Sequence, residues 1–132
     1  MLNYKKILVT GSEGQLGRTL QKRSADINGF DWIFLSKAEL DITQTNEIQA
    51  AFNKYNPKFC INCAAFTDVL KSEKKPSLAF KVNVEGVKNL THICNENKSI
   101  LIHISTDYVF DGAKKIPYVE NDKANPLNAY GM

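Results

Sequence analysis

Three short segments carry residue types that could do chemistry. Gly11-Ser12-Glu13-Gly14-Gln15-Leu16-Gly17 follows directly on the apolar run Ile7-Leu8-Val9-Thr10. Glycines so spaced let a strand turn sharply at Gly11, let backbone amides near Gly14 approach a pyrophosphate, and let a helix pack closely at Gly17. The positive end of that helix would then face the phosphates. A glycine triplet alone is a weak signal, but one that leaves a strand and opens a helix points to dinucleotide binding. Ser105-Thr106-Asp107-Tyr108-Val109-Phe110 follows another apolar run and presents hydroxyls where a parallel sheet binds ligands. Pro126-Leu127-Asn128-Ala129-Tyr130-Gly131 brings a phenol. A phenol ordinarily titrates at about pH 10, so proton transfer near neutrality needs a neighbouring cation.

Elements that position these segments can be read from periodicity. Apolar runs at Ile7–Thr10, Trp32–Leu35, Phe59–Ala65 and Ile100–Ile104 read as four buried strands. Helical spacing separates them: Leu16, Leu20 and Ile27 before a stop at Gly29; Ile48, Ala51 and Phe52 behind a cap at Thr43 or Thr45 and ahead of Pro57; and Leu78, Val82, Val87, Leu90 and Ile93 from Pro76 to about Asn97. Alternating strands and helices predict an α/β fold, a doubly wound parallel sheet of the Rossmann type, with strands in the order 3-2-1-4. In that order Ile100 to Ile104 forms an apolar edge open to pairing, so self-association or low stability is expected of this stretch by itself. From Gly112 to Met132 the chain is loop-like, and loops this long in a domain usually serve function.

With 132 residues there is room for a single domain with a core. The charge of +3 is dispersed over short, interrupted clusters such as Lys5-Lys6 and Lys114-Lys115, which read as solvated faces and give no nucleic-acid stripe. No apolar stretch is long enough to span a membrane, and Met1-Leu2-Asn3 opens no secretion signal, so a cytoplasmic protein is expected. Cys60 and Cys63 have redox or zinc spacing, yet in a strand they point to opposite faces and read as structural. His92 and His103 have no neighbours at ligand spacing, so no metal site is expected. After the second strand, where a carboxylate would hold a ribose 2′-hydroxyl, stand Ser36 and Lys37. An ammonium there favours NADPH over NADH.

Taken together, the glycine motif, Cys63-Ala64-Ala65, Asn83-Val84-x-Gly86, Ser105 to Phe110 and Pro126 to Gly131 resemble the extended short-chain dehydrogenase/reductases. Within them the chain is most similar, along its entire length, to the dTDP-4-dehydrorhamnose reductase family. That resemblance implies reduction of the 4-keto group of dTDP-4-dehydro-6-deoxy-L-mannose to give dTDP-L-rhamnose. Thr106 would be the triad hydroxyl and Tyr130 the general acid. Gly11, Gly14 and Gly17 would seat the pyrophosphate, Gln15 and Leu16 between them would also bind the cofactor, Asp41 and Ile42 would lie by the adenine, and Ala64, Ala65 and Thr67 would line the cofactor cleft. The triad lysine is expected two residues beyond Met132, so these residues would form an incomplete, inactive NAD(P)-binding domain covering 1–132. A homodimer is compatible with the family, and the role of Mg²⁺ stays open. Leu70 departs from the pattern, standing in a segment where the family carries an aspartate. Two other readings remain: an NAD-dependent sugar-nucleotide epimerase or dehydratase, and a non-catalytic dinucleotide-binding module.

Overall fold

The computed structural model describes residues 4–132, so the expectation about Met1 to Asn3 lies outside the described residues. Strands β1 (Lys5–Thr10), β2 (Phe30–Leu35), β3 (Phe59–Asn62) and β4 (Ile100–His103) form one parallel sheet. The strand order is β2-β1-β3-β4. This corrects the expected 3-2-1-4 order: β3 docks on the free side of β1 rather than outside β2. Hydrophobic runs report that a strand is buried on both faces, but either flank of β1 satisfies them. Handedness then links the flank to the face, because a right-handed crossover that reverses direction carries its helix to the opposite side of the sheet.

Helix α2 (Thr45–Tyr55) is carried to that side and packs there with α5 (Val87–Glu96). Ile48, Ala51 and Phe52 of α2 meet Leu90, Ile93 and Cys94 of α5 over Leu8, Leu35 and Cys60 of the sheet. Leu8 pairs in register with both Ile33 and Cys60, so β1 is the buried spine. Truncating Phe52, which is fully enclosed, to alanine should cost about 3–5 kcal/mol. Helix α1 (Gln15–Ser24) belongs to the other face.

Several boundaries move. Helix α1 ends before Ile27, since Asp26 and Ile27 donate to Arg23 and Ser24 in tightening turns. Neither Thr43 nor Thr45 caps α2; Gln44 is its first flanking residue, and the Thr43 amide donates to Asp41. Asn56 ends α2 in the left-handed conformation, immediately before Pro57. β3 stops at Asn62, so Cys63 to Ala65 leave the sheet as a wall rather than as strand. The long helical stretch exists as α4 (Pro76–Phe80), a π turn (Lys81–Gly86) and α5, preceded by a short helix that periodicity did not reveal, α3 (Val69–Lys74). Leu70 on α3 is 77% exposed, so it takes no part in the core.

Candidate active site

Between β1 and β3 the direction in which the crossovers wind along the sheet reverses, while the strands themselves stay parallel. That is where open α/β sheets bind ligands. Gly11 adopts φ +62 and approaches the Ala64 backbone so closely that a Cβ would lie 2.6 Å from the Ala64 nitrogen. Gly17 is equally confined: a Cβ there would lie 2.6 Å from the Gly11 carbonyl oxygen, so the helix seats directly on the loop. Gly14 differs, since a Cβ would touch only the Gly11 oxygen, at 3.3 Å, and otherwise face open space. Among the described residues no side chain caps α1 and no acid stands in its first turn; the Arg18 amide reaches back to Gly14. Among the described residues the amides of the opening turn therefore lack a protein acceptor at the mouth of the cleft that Gly14 and Gln15 line. Open space beside Gly14 and uncapped amides fit a pyrophosphate.

Two adjoining clefts meet at this mouth. One, of about 210 Å³, is lined by Gly11, Gly14, Lys37, Asp41, Ile42, Ala64 and Ala65. The other, of about 500 Å³, is lined by Gly14, Gln15, Leu16, Ala64, Ala65, Thr67, Ser105 and Tyr130. They share Gly14, Cys63, Ala64 and Ala65 and so form one continuous groove. Of the residues singled out in the sequence, Gly17 supports the groove from behind. Ser36 is turned away: its amide and hydroxyl both donate to Glu39 at 2.8 Å. Those bonds, the backbone one first, hold the Glu39 carboxyl below the usual carboxylate range. A carboxylate thus does stand near the end of β2, engaged in capping a turn. Burial pushes the Asp41 carboxyl up, but the Thr43 amide and hydroxyl and the Lys37 and Lys81 charges outweigh it, and the net shift is downward.

Side-chain amides hold the far wall. Asn62, 1% exposed, accepts from the Thr10 hydroxyl at 2.6 Å and the Ala64 amide at 3.2 Å, and lies 3.1 Å from His103 Nδ1. It ties β1, β3 and β4 at the level where the wall begins. In the π turn, Asn83 accepts the Phe66 amide at 2.8 Å and donates to the Phe66 carbonyl at 3.0 Å. Sequence reasoning singled out neither role; a polar residue ending an apolar strand was the available signal for Asn62. Cys60 lies in the core beside Cys94, while Cys63 lines the groove.

Thr106 and Tyr130 come to the same end of the sheet. The Thr106 hydroxyl accepts the Tyr108 amide at 3.2 Å and caps a 3₁₀ turn (Asp107–Val109). The Tyr108 ring meets the Tyr130 ring edge-on at 5.5 Å. Ser105, adjacent to the predicted Thr106, is the hydroxyl residue that lines the groove beside Tyr130. A dinucleotide along the groove would bring its far end beneath a phenol and a serine, an arrangement suited to protonating a carbonyl oxygen.

A family model described as the RmlD substrate binding domain matches residues 5–132. The chain is 40% identical over 126 residues to a dTDP-4-dehydrorhamnose reductase of Aggregatibacter actinomycetemcomitans, covering 96% of this chain and 43% of that protein. Among solved structures, a dTDP-4-dehydrorhamnose reductase ortholog of Clostridium acetobutylicum superposes with a TM-score of 0.91 at 44% identity, over 96% of this chain and 45% of the other. The Bacillus anthracis dTDP-4-dehydrorhamnose reductase in complex with NADP gives 0.91 at 35% identity, over 97% and 45%. The chain therefore spans less than half the length of these relatives.

Proposed function

This chain belongs to the RmlD substrate binding domain family, and from that premise we propose that it is the dinucleotide-binding part of an NADPH-dependent reductase. Its substrate would be the 4-keto sugar of dTDP-4-dehydro-6-deoxy-L-mannose, reduced to dTDP-L-rhamnose. The reading rests on one observation, the continuous groove from the uncapped mouth of α1 to the Tyr130 phenol. Relatives named as reductases of dTDP sugars, one of them holding NADP, support it.

Bound reduced nicotinamide would supply the hydride to C4 of the sugar. Gly11 and Gly14 keep the pyrophosphate path clear, and the opening amides of α1 bind its charge. Lys37, at the rim of the smaller cleft, favours a 2′-phosphate, and Asp41 and Ile42 bound the adenine end. Ala64, Ala65 and Thr67 confine the nicotinamide half. Tyr130 hands its phenolic proton to the C4 oxygen as the alkoxide forms, and a hydroxyl at the end of β4, Thr106 or its neighbour Ser105, hydrogen-bonds the same oxygen.

Calorimetric titration with NADPH and NADH tests the cofactor reading. NADPH should bind more tightly, and Lys37→Glu should weaken it by about tenfold, equivalent to about 1.4 kcal/mol, with less effect on NADH. Heat-silent titrations with both dinucleotides would sink the reading. Consumption of NADPH by the full-length protein with the dTDP-4-keto sugar tests the reaction itself.

A further inference from the structure

Between Phe110 and Pro126 the chain makes an excursion with no regular secondary structure, yet it returns to deliver Tyr130 to the groove. Asp111 is the hub of that return. Its Oδ1 accepts the Ala113 amide at 2.9 Å and the Tyr118 hydroxyl at 2.8 Å, and its Oδ2 accepts Asn125 Nδ2 at 2.9 Å. The Asn125 amide in turn donates to the Val109 carbonyl at 2.8 Å. Tyr118 stacks on Phe110 with centroids 4.2 Å apart and planes 10° from parallel. Both limbs are therefore fastened at their base. An excursion of this length without such ties would cost closure entropy and leave its returning limb free to wander.

The returning limb leads straight to the phenol. Beyond Pro126, the Gly131 amide donates to Asn128 Oδ1 at 2.9 Å, and Gly131 sits so tightly on the Tyr108 carbonyl that no Cβ would fit. We propose that Asp111 is the positioning residue for Tyr130: its carboxylate closes the excursion and so sets where the phenol stands in the groove. The proposal rests on the proton-donor reading of Tyr130 given above. The Ala113 amide, the Asn125 amide group and the Tyr118 hydroxyl together hold the Asp111 carboxyl down to about 2, so the hub is ionised at any working pH.

The test uses the full-length protein. Asp111→Ala removes all three acceptor contacts and should lower kcat for ketone reduction by about tenfold or more while the Kd for NADPH stays within about twofold. Hydrogen exchange should quicken in residues 126–131 and stay unchanged in residues 11–17. Asp111→Asn should recover kcat to within about threefold, because a flipped Asn125 amide can offer its oxygen to the new Nδ2 group. Asn125→Ala, which removes one tie, should fall between them. Unchanged kcat and unchanged exchange at 126–131 in Asp111→Ala overturn the proposal. So does a parallel loss of NADPH binding, kcat and melting temperature in all three variants, which would mark a general stabilising role. A wild-type protein that binds NADPH but reduces no ketone removes the enzymatic reading, and the exchange pattern at 126–131 then still decides whether Asp111 holds Tyr130.

Discussion

Tyr130 and His103 stand at opposite ends of what a single side chain does here. Tyr130 lines the groove with Ser105, and its ring leans on Tyr108. If it is the proton donor proposed above, it should contribute to kcat and little to dinucleotide binding. Tyr130→Phe in the full-length protein is therefore expected to lower kcat by about 10²–10⁴ with nearly unchanged Kd for NADPH, read by steady-state kinetics beside calorimetry. His103 acts on the scaffold. Its Nδ1 faces the Asn62 Nδ2 group, which can donate only to a neutral ring nitrogen. Burial holds the His103 pKa below its usual 6.5. Because the folded value is lower than the unfolded one, the stabilisation is fully present above about pH 6.5 and is lost as pH falls through the folded pKa. Thermal melts should show the protein less stable at pH 5 than at pH 7.5, and His103→Leu should flatten that difference. Equal slopes in the two proteins would argue against the link.

Helix α1 shows what an element adds to its residues. Its amphipathic pattern would let it lie on any apolar face; its seat is decided by Gly17 and Gly11, which bring helix and loop within backbone contact. Gly17→Ala would force a methyl against the Gly11 oxygen and Ser12. The expected cost is about 1–3 kcal/mol, together with a weakened NADPH affinity as the helix mouth is displaced. Denaturation midpoints and calorimetry measure both, and a stable variant with unaltered affinity would mean that the loop yields freely. The π turn is another device of this scale. Its Asn83 holds both the amide and the carbonyl of Phe66.

Across the whole molecule the two faces of the sheet are unequal. One is filled by α2 and α5. The other leaves Ile100 and Ile102, which share a face of the edge strand β4, and Ile104 just beyond its end, 51%, 44% and 47% exposed. Among the described residues no helix is long and apolar enough to cross a membrane. An apolar strand edge of this kind is a template for further pairing. The 132-residue chain by itself should associate in light scattering, and Ile102→Lys should reduce the association. A monodisperse, highly stable monomer of the unaltered chain would contradict the open edge.

Strand and helix alternation and the glycine loop that opens α1 were legible in the sequence because each is a local pattern: hydrophobic period and turn chemistry. Strand order was not, because patterning is blind to which flank of β1 receives β3. Helix α3 escaped because its six residues carry too few turns for a period to register. The partners of Asn62, Asn83 and Asp111 were equally hidden. A polar side chain's hydrogen bonds depend on what packing brings within about 3 Å of it, and for Asn62 and His103 that neighbour is 41 residues away. The amino-acid order by itself determined that a dinucleotide-type loop and a phenol exist in one chain. Only the tertiary structure decided that they share a groove, because that depends on where the crossovers set β3 and β4 and on the bonds that return the 111–125 excursion to the sheet.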